Sequence, residues 1–238
     1  MEYTVFLDII GTIAFSLAGY ILAAKARYDI LGILVVSFIT AFGGGVVRDL
    51  LTNRVPFIFH ETYPISIVLV TVTLAYLLKL HKHTKLTDNI VFHVSDSIGL
   101  SMFAFTGAVV GLDADFNLAG VVFLSFLTAV GGGIIRDMMM NKVPFVLTND
   151  FYGTIAILLG FLIWMIDSFF VLNTIVSVLL LLFGTLMRLL AIKYQWKLPK
   201  LNMPSTGFLK VSLIAVIDRK SKLLCYHLSL FIKTEIIK

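Results

Sequence analysis

Two Arg-Asp pairs, Arg48-Asp49 and Arg136-Asp137, stand in long apolar stretches, each two β-branched residues after a run of three glycines. The glycines are Gly43, Gly44 and Gly45 before the first pair, and Gly131, Gly132 and Gly133 before the second. Charge inside a membrane span is costly and usually faces a bundle interior or a water-filled cavity. Each interior glycine costs a helix about 1 kcal/mol relative to alanine, so three in succession predict a break or kink. In lipid, peptide groups freed in this way are tolerated only when buried in protein or facing water. Exposed carbonyl oxygens there would coordinate a cation, and exposed amides an anion. Two plainer readings stand beside this one. The glycines would serve close helix packing, and the Arg-Asp pairs would be local salt bridges snorkelling to the interface.

Other polar residues fall around these frames. Ser37, Thr40, Ser125 and Thr128 precede the triplets at helical spacing. Their hydroxyls would line a pore or, equally, bond their own helix or a neighbouring one. Asp8 and Asp96 begin the spans preceding the two glycine-bearing ones. Asp8 is expected at the depth of Arg48 and Asp96 at the depth of Arg136, each pair lining one mouth of a path. A charge-reversal swap at Asp8 and Arg48 is then expected to restore what either single change removes. Gly107 and Gly111 read as ordinary close packing. Pro56 and Pro144 close each frame in Val-Pro-Phe and fix a turn. His81, His83 and His93 lie in or beside a basic loop and read as solvated.

The elements that carry these residues are spanning helices. The chain has 238 residues, 59% hydrophobic and 14% charged, and a mean hydropathy of +0.98. Soluble domains hold roughly 45–50% apolar and about 25% charged residues. The composition therefore excludes an ordinary soluble enzyme, a nucleic-acid-binding domain and a disordered chain. The single cysteine, Cys225, forms no internal disulfide, and no Cys/His set has metal-ligand spacing. No cofactor is expected. A phosphate loop, a Ser/His/Asp set and an H-E-x-x-H motif are all missing from the sequence, so no enzyme is expected.

A span needs about 20 apolar residues. Seven candidates run over 6–24, 30–52, 64–78, 94–112, 118–139, 151–166 and 169–190, the third and sixth being short. The first lacks a basic leader and reads as a span rather than a signal peptide. Lys25, Arg27, Lys79, Lys82, Lys85, Lys142, Arg188, Lys193, Lys197 and Lys200 gather on one side of these spans, and only Arg54 lies in a loop on the other. The positive-inside rule then puts the amino terminus outside and the carboxyl terminus in the cytoplasm.

The spans are duplicated. Residues 8–57 align with 96–145 without a gap at an offset of 88, and twenty of fifty positions are identical. Three spans per repeat make the second repeat enter the membrane from the opposite face. The fold class is thus an all-α membrane protein of seven transmembrane helices, arranged as two inverted three-helix repeats plus a seventh helix. Repeat 1 covers about 6–80, repeat 2 about 94–167 and the seventh helix about 169–190, all within a membrane domain over 1–200. Inverted repeats place a binding or permeation site at their interface. Residues 201–238 form an unassigned cytoplasmic tail with short apolar runs at 208–217 and 223–232.

Over roughly residues 3–200, the duplicated GGG-x-x-RD frame, the Val-Pro-Phe after it and the three-plus-three-plus-one span order resemble the bacterial and archaeal trimeric intracellular cation channels, a family also described as carrying a glycine-transporter domain. The resemblance implies a homotrimer with a pore in each protomer, second and fifth helices kinked at Gly43–Gly45 and Gly131–Gly133, and permeation by monovalent cations, chiefly potassium. It makes Arg48, Asp49, Arg136 and Asp137 candidates for lining or gating, together with Asp8 and Asp96. The expected partners are further copies of the chain, membrane lipid and monovalent cations, with no nucleic acid. The expected location is the cytoplasmic membrane. A secondary transporter of a small solute such as glycine is the alternative, because inverted repeats suit both mechanisms.

Overall fold

Asp29 and Asn117, equivalent in the repeat, open the two glycine-bearing helices in the same way. The Asp29 carboxylate accepts from the Gly32 amide at 2.7 Å, and the Asn117 side chain accepts from the Gly120 amide at 2.9 Å. Each satisfies one of the amides that a helix start leaves without a partner. The same helices end at equivalent residues too. Asn53 (φ 55°) and Asn141 (φ 53°) take the left-handed conformation that stops a helix and that asparagine tolerates.

A computed structural model of the chain describes residues 2–80, 90–148, 151–170 and 172–196. Among these the long elements are all helical: α1 (Glu2–Lys25), α2 (Ile30–Leu51), α3 (Tyr63–Leu77), α4 (Phe92–Asp113), α5 (Leu118–Met139), the single turn α6 (Phe145–Thr148), α7 (Tyr152–Phe169) and α8 (Thr174–Lys193). A short 3-10 turn, Phe57–Phe59, precedes α3 as α6 precedes α7. The tail at 201–238, with its apolar runs, and the loop histidines His81 and His83 lie outside the described residues.

Six of these helices, α1, α2, α4, α5, α7 and α8, are long and apolar enough to cross a membrane. The third candidate span is short, as its sequence indicates. α3 has 15 residues, about 22 Å at 1.5 Å per residue, against a hydrocarbon core of about 30 Å. It fills the position in repeat 1 that α7, with 18 residues, fills in repeat 2. The chain then turns through Phe170 and restarts at α8, where Asn173 caps the Val176 amide at 2.9 Å.

α1 packs on α2 as α4 packs on α5, while α1 meets α4 and α2 meets α5 between the repeats. Two apolar cores form, one mainly in each repeat, with Phe92 and Phe103 of α4 in the first and Leu7 of α1 in the second. Phe15, Tyr20, Phe42, Val68 and Val72 belong to the first, and Leu100, Phe105, Leu124, Ile155 and Leu159 to the second. Phe15 and its repeat equivalent Phe103 stack across the boundary with centroids 5.2 Å apart. Gly11 and Gly99 make room for these rings, since a Cβ at either would run into the opposite phenylalanine. α4 is the most enclosed span, with α8 outside both repeats packed along it and α7. Its small residues, Gly99, Ser101, Ala104, Gly107, Ala108 and Gly111, are what admit so many neighbours.

Candidate functional site

α2 and α5 run unbroken through their triplets. Of the two outcomes expected at Gly43–Gly45 and Gly131–Gly133, a break or a kink, the break is therefore absent. Glycine keeps its amide, and its weak helix propensity is offset here because the missing side chains let two backbones touch. A Cβ on Gly44 would collide with the Thr128 carbonyl oxygen, and one on Gly132 with the Thr40 carbonyl oxygen. A Cβ on Gly43 would stand 2.9 Å from the Gly132 Cα, and one on Gly131 3.3 Å from the Gly44 Cα. These contacts are reciprocal at the offset of 88, as contacts across a two-fold axis are. The triplets therefore hold α2 and α5 in a backbone-to-backbone crossing.

The hydroxyls around the crossing are mostly engaged. Thr40 donates to the Val36 carbonyl at 2.6 Å and Thr128 to the Leu124 carbonyl at 2.6 Å, each within its own helix. Ser125 lies within donating distance of the Ala104 carbonyl of α4 (2.8 Å) and the Ala156 carbonyl of α7 (3.0 Å). Ser37 is buried with no hydrogen-bond partner among the described residues. Gly111 packs α4 on α5, a Cβ there standing 3.2 Å from the Val121 Cα.

One turn past each triplet lies a charged cluster. Arg48 Nε donates to Asp49 Oδ1 at 2.9 Å, and Arg48 Nη1 reaches Asp8 Oδ1 at 3.2 Å and Oδ2 at 3.4 Å. The same nitrogen lies 3.3 Å from the Thr106 hydroxyl of α4. The second Asp49 oxygen accepts from the Phe57 amide at 3.0 Å, which fastens the Val-Pro-Phe turn. In the second cluster Arg136 Nε donates to Asp137 Oδ1 at 2.8 Å, and the Phe145 amide donates to Asp137 Oδ2 at 2.7 Å. Arg136 Nη1 stands 3.8 Å from Asp96 Oδ1, and the Tyr152 hydroxyl donates to that oxygen at 3.3 Å.

The structure thus brings Asp8 to Arg48 and Asp96 to Arg136. Both arginines stay inside the bundle, with side chains 5% and 1% exposed, so they do not snorkel. Each sits in the last turn of its helix, where a cation complements the negative end of the dipole. Phe57 lies under Arg48 at 5.8 Å, and Phe92 under Arg136 at 5.9 Å.

Three cluster members escaped the sequence reading. Thr106 is α4's contribution to the first cluster, where repeat 1 has only Ala18 at the equivalent place. Tyr152 stands where repeat 1 has Pro64. Arg188 was expected among the cytoplasmic loop charges, yet it is buried, with its guanidinium over the Tyr152 ring at 4.7 Å. The misplacement arose from its position near a span end. The available signal was a lone charge one turn after Gly184 in an apolar helix.

A duplicated helix unit, crossed back to back and carrying two buried ion clusters, defines a multi-pass membrane protein rather than an enzyme. The chain belongs to the family described as glycine transporter, which matches it twice, over residues 5–79 and 93–168. Those segments are the two repeats. It is 35% identical over 201 residues to the UPF0126 membrane protein YvgT of Bacillus subtilis (strain 168), covering 81% of this chain and 94% of that one. It is 32% identical over 202 residues to the UPF0126 inner membrane protein YadS of Escherichia coli (strain K12), covering 84% and 97%. Among solved structures, a TRIC cation channel studied for its conductance superposes with a TM-score of 0.74 at 32% identity, covering 84% of this chain and 98% of that chain. A prokaryotic TRIC channel in 0.5 M KCl superposes with a TM-score of 0.76 at 30% identity, covering 83% and 99%.

Proposed function

We propose that this protein is a cation channel passing monovalent cations, chiefly potassium, through a pore in each protomer of a homotrimer. The carrying observation is the pair of like clusters, Asp8–Arg48–Asp49 and Asp96–Arg136–Asp137, in which each guanidinium holds two carboxylates. They sit at the carboxyl ends of two helices that cross at their glycines. If repeat 2 is inserted opposite to repeat 1, these ends face opposite sides of the membrane. The clusters then mark two mouths, and the crossing between Gly44 and Gly132 is the constriction. The close contact there fits a closed arrangement that opens when α2 and α5 separate. The likeness to solved cation channels along nearly their full length supports the same reading.

The seven-helix count, with α3 as a short third span, belongs to this proposal. So do a membrane domain over 1–200, a cytoplasmic tail at 201–238, and a cytoplasmic-membrane location with the amino terminus outside. Recording from the purified protein in a planar bilayer tests the channel. Resolved unitary potassium currents are expected.

A second reading, a carrier for a small zwitterion such as glycine, is favoured by the same closed crossing and by carboxylates and guanidinium standing together in one place. A carrier needs a site closed to each side in turn, whereas a channel needs one continuous wet path. Saturable glycine uptake into vesicles, without unitary currents, would establish the carrier and remove the channel.

A further inference from the structure

Ser37 and Ser125 occupy equivalent places in the two repeats and are both fully buried, yet their hydroxyls are used differently. Ser125 lies 2.8 Å from the Ala104 carbonyl of α4 and 3.0 Å from the Ala156 carbonyl of α7, so α5 is tied to a helix on each side. The Ser37 hydroxyl has no hydrogen-bond partner among the described residues. At the offset of 88, the carbonyls matching those of Ala104 and Ala156 belong to Ser16 in α1 and Val68 in α3. A buried hydroxyl that lacks a partner is destabilising, so any arrangement of α2 that supplies one is favoured by that amount.

Glycine accounts for the difference. Gly160, one turn after Ala156, seats α7 on α5, since a Cβ there would stand 2.8 Å from the Ser125 Cβ and 3.1 Å from the Val122 Cα. Gly153 does the same at the start of α7, where a Cβ would stand 2.6 Å from Phe126 Cε2 of α5. Repeat 1 has Val72 in place of Gly160 and Ile65 in place of Gly153, so α3 has no matching seat on α2. It leans chiefly on α1, whereas α7 packs closely on both α4 and α5. α8 backs the second repeat further. A Cβ on its Gly184 would stand 2.6 Å from Leu159 Cδ1 of α7 and 3.0 Å from Ser101 Oγ of α4. Of the two helices that cross at the glycine triplets, α5 is thus held from both flanks and α2 mainly from one.

We infer that α2 is the helix that moves when the crossing opens, and that Ser37 latches it in the open position by donating to the Val68 carbonyl of α3. This rests on the channel reading above. As α2 tips toward α3, Ser37 makes the bond that Ser125 already makes to α7, while α5 stays in place as the fixed wall of the route. Ser37 is a positioning residue of the gate, acting through the place of α2 rather than on the permeant ion.

The test records unitary currents in symmetric KCl from the purified wild type, Ser37→Ala, Ser125→Ala, Val72→Ala and the double variant Ser37→Ala with Val72→Ala. Unfolding midpoints in detergent are measured beside them. Ser37→Ala is expected to shorten the mean open time roughly fivefold, the scale of one lost hydrogen bond. Its unitary conductance and mean closed time stay as in the wild type, and its unfolding midpoint is no lower, because the closed protein does not use that hydroxyl. Ser125→Ala gives the reverse pattern: a lower midpoint with wild-type dwell times, because its bonds persist in both states. Val72→Ala lets α3 approach and lengthens the openings, and this gain is lost in the double variant. An unaltered open time in Ser37→Ala would overturn the inference and leave the channel standing, the hydroxyl then serving only its own helix. Dwell times shifted as much by Ser125→Ala as by Ser37→Ala would overturn the fixed role of α5. Lengthened openings that survive in the double variant would overturn the latch to α3. Absence of unitary currents from the wild type overturns the channel reading itself, and the inference with it.

Discussion

Arg48 is held by two carboxylates at once, through Nε to Asp49 and through Nη1 to Asp8. Breaking a buried ion pair by removing one partner costs about 3–5 kcal/mol, because the remaining charge stays desolvated. Arg48→Leu strands two carboxylates and is expected to lower the unfolding midpoint in detergent more than Asp8→Asn, which leaves Arg48 its Asp49 partner. The shared guanidinium also changes the reversal test suggested by the sequence. Swapping Asp8 and Arg48 would place a new carboxylate beside Asp49, which already spends its other oxygen on the Phe57 amide. The double variant is therefore expected to recover only part of the unitary current lost in the singles. Full recovery would show that Asp49 contributes little to holding Arg48. The sequence made the Asp8–Arg48 pairing legible through the repeat and offered Arg48–Asp49 as a local salt bridge, but gave no hint that Asp49 also reaches forward to the following turn.

The glycine triplets act as elements rather than as single residues, and their members are not equivalent. Gly132 lies against the Thr40 carbonyl of the opposing helix, so Gly132→Ala forces α2 and α5 apart. Overpacking of this kind costs about 1–3 kcal/mol where neighbours can yield, and here the neighbour is backbone. At Gly133 the nearest atoms to a Cβ are Arg136 Nη2 at 3.6 Å and the Tyr152 hydroxyl at 3.7 Å, which is ordinary contact. Gly133→Ala therefore gains helix propensity of about 1 kcal/mol without a clash. Thermal unfolding in detergent is expected to show a large loss for Gly132→Ala and no loss, or a small gain, for Gly133→Ala. A shared loss would mean that the whole triplet, rather than the crossing point, needs glycine. Propensity alone predicted a break or a kink at each triplet. The break is absent because propensity ranks residues in an isolated helix, whereas here the second backbone decides.

At the scale of the molecule, α2 and α5 carry equivalent caps, each repeat sets one arginine between two aspartates, and α8 belongs to neither repeat. Arg27 (φ 59°) and Asp115 (φ 55°) occupy equivalent exposed turns after α1 and α4. In an inverted arrangement they lie on opposite faces of the membrane. With Cys225 replaced, Asp115→Cys is expected to react with an impermeant maleimide on intact cells, and Arg27→Cys only after permeabilisation. Labelling of both from the same side would exclude the inverted insertion and the two-mouthed route with it. Apolar grooves of about 1180 Å³ along α5 and α7 and about 410 Å³ along α1, α2 and α3 also fall at equivalent positions. The buried clusters line neither groove, so the charged side chains face the bundle rather than its flanks.

Hydropathy and the offset of 88 were enough to establish helices across a membrane, their duplication, and the matching of Asp8 with Arg48 and of Asp96 with Arg136. Those properties follow from periodicity and local chemistry, which a linear chain carries in full. The continuity of α2 and α5 through their glycines and the entry of Arg188 into the second cluster were decided by tertiary structure. Each depends on how closely a distant segment approaches: the Thr40 and Thr128 carbonyls at the crossing, and the Leu159 and Ser101 side chains at Gly184. Distance through space between residues far apart in the chain is set by packing as a whole, and a lone arginine near a helix end reads the same in sequence whether it meets water or a buried tyrosine.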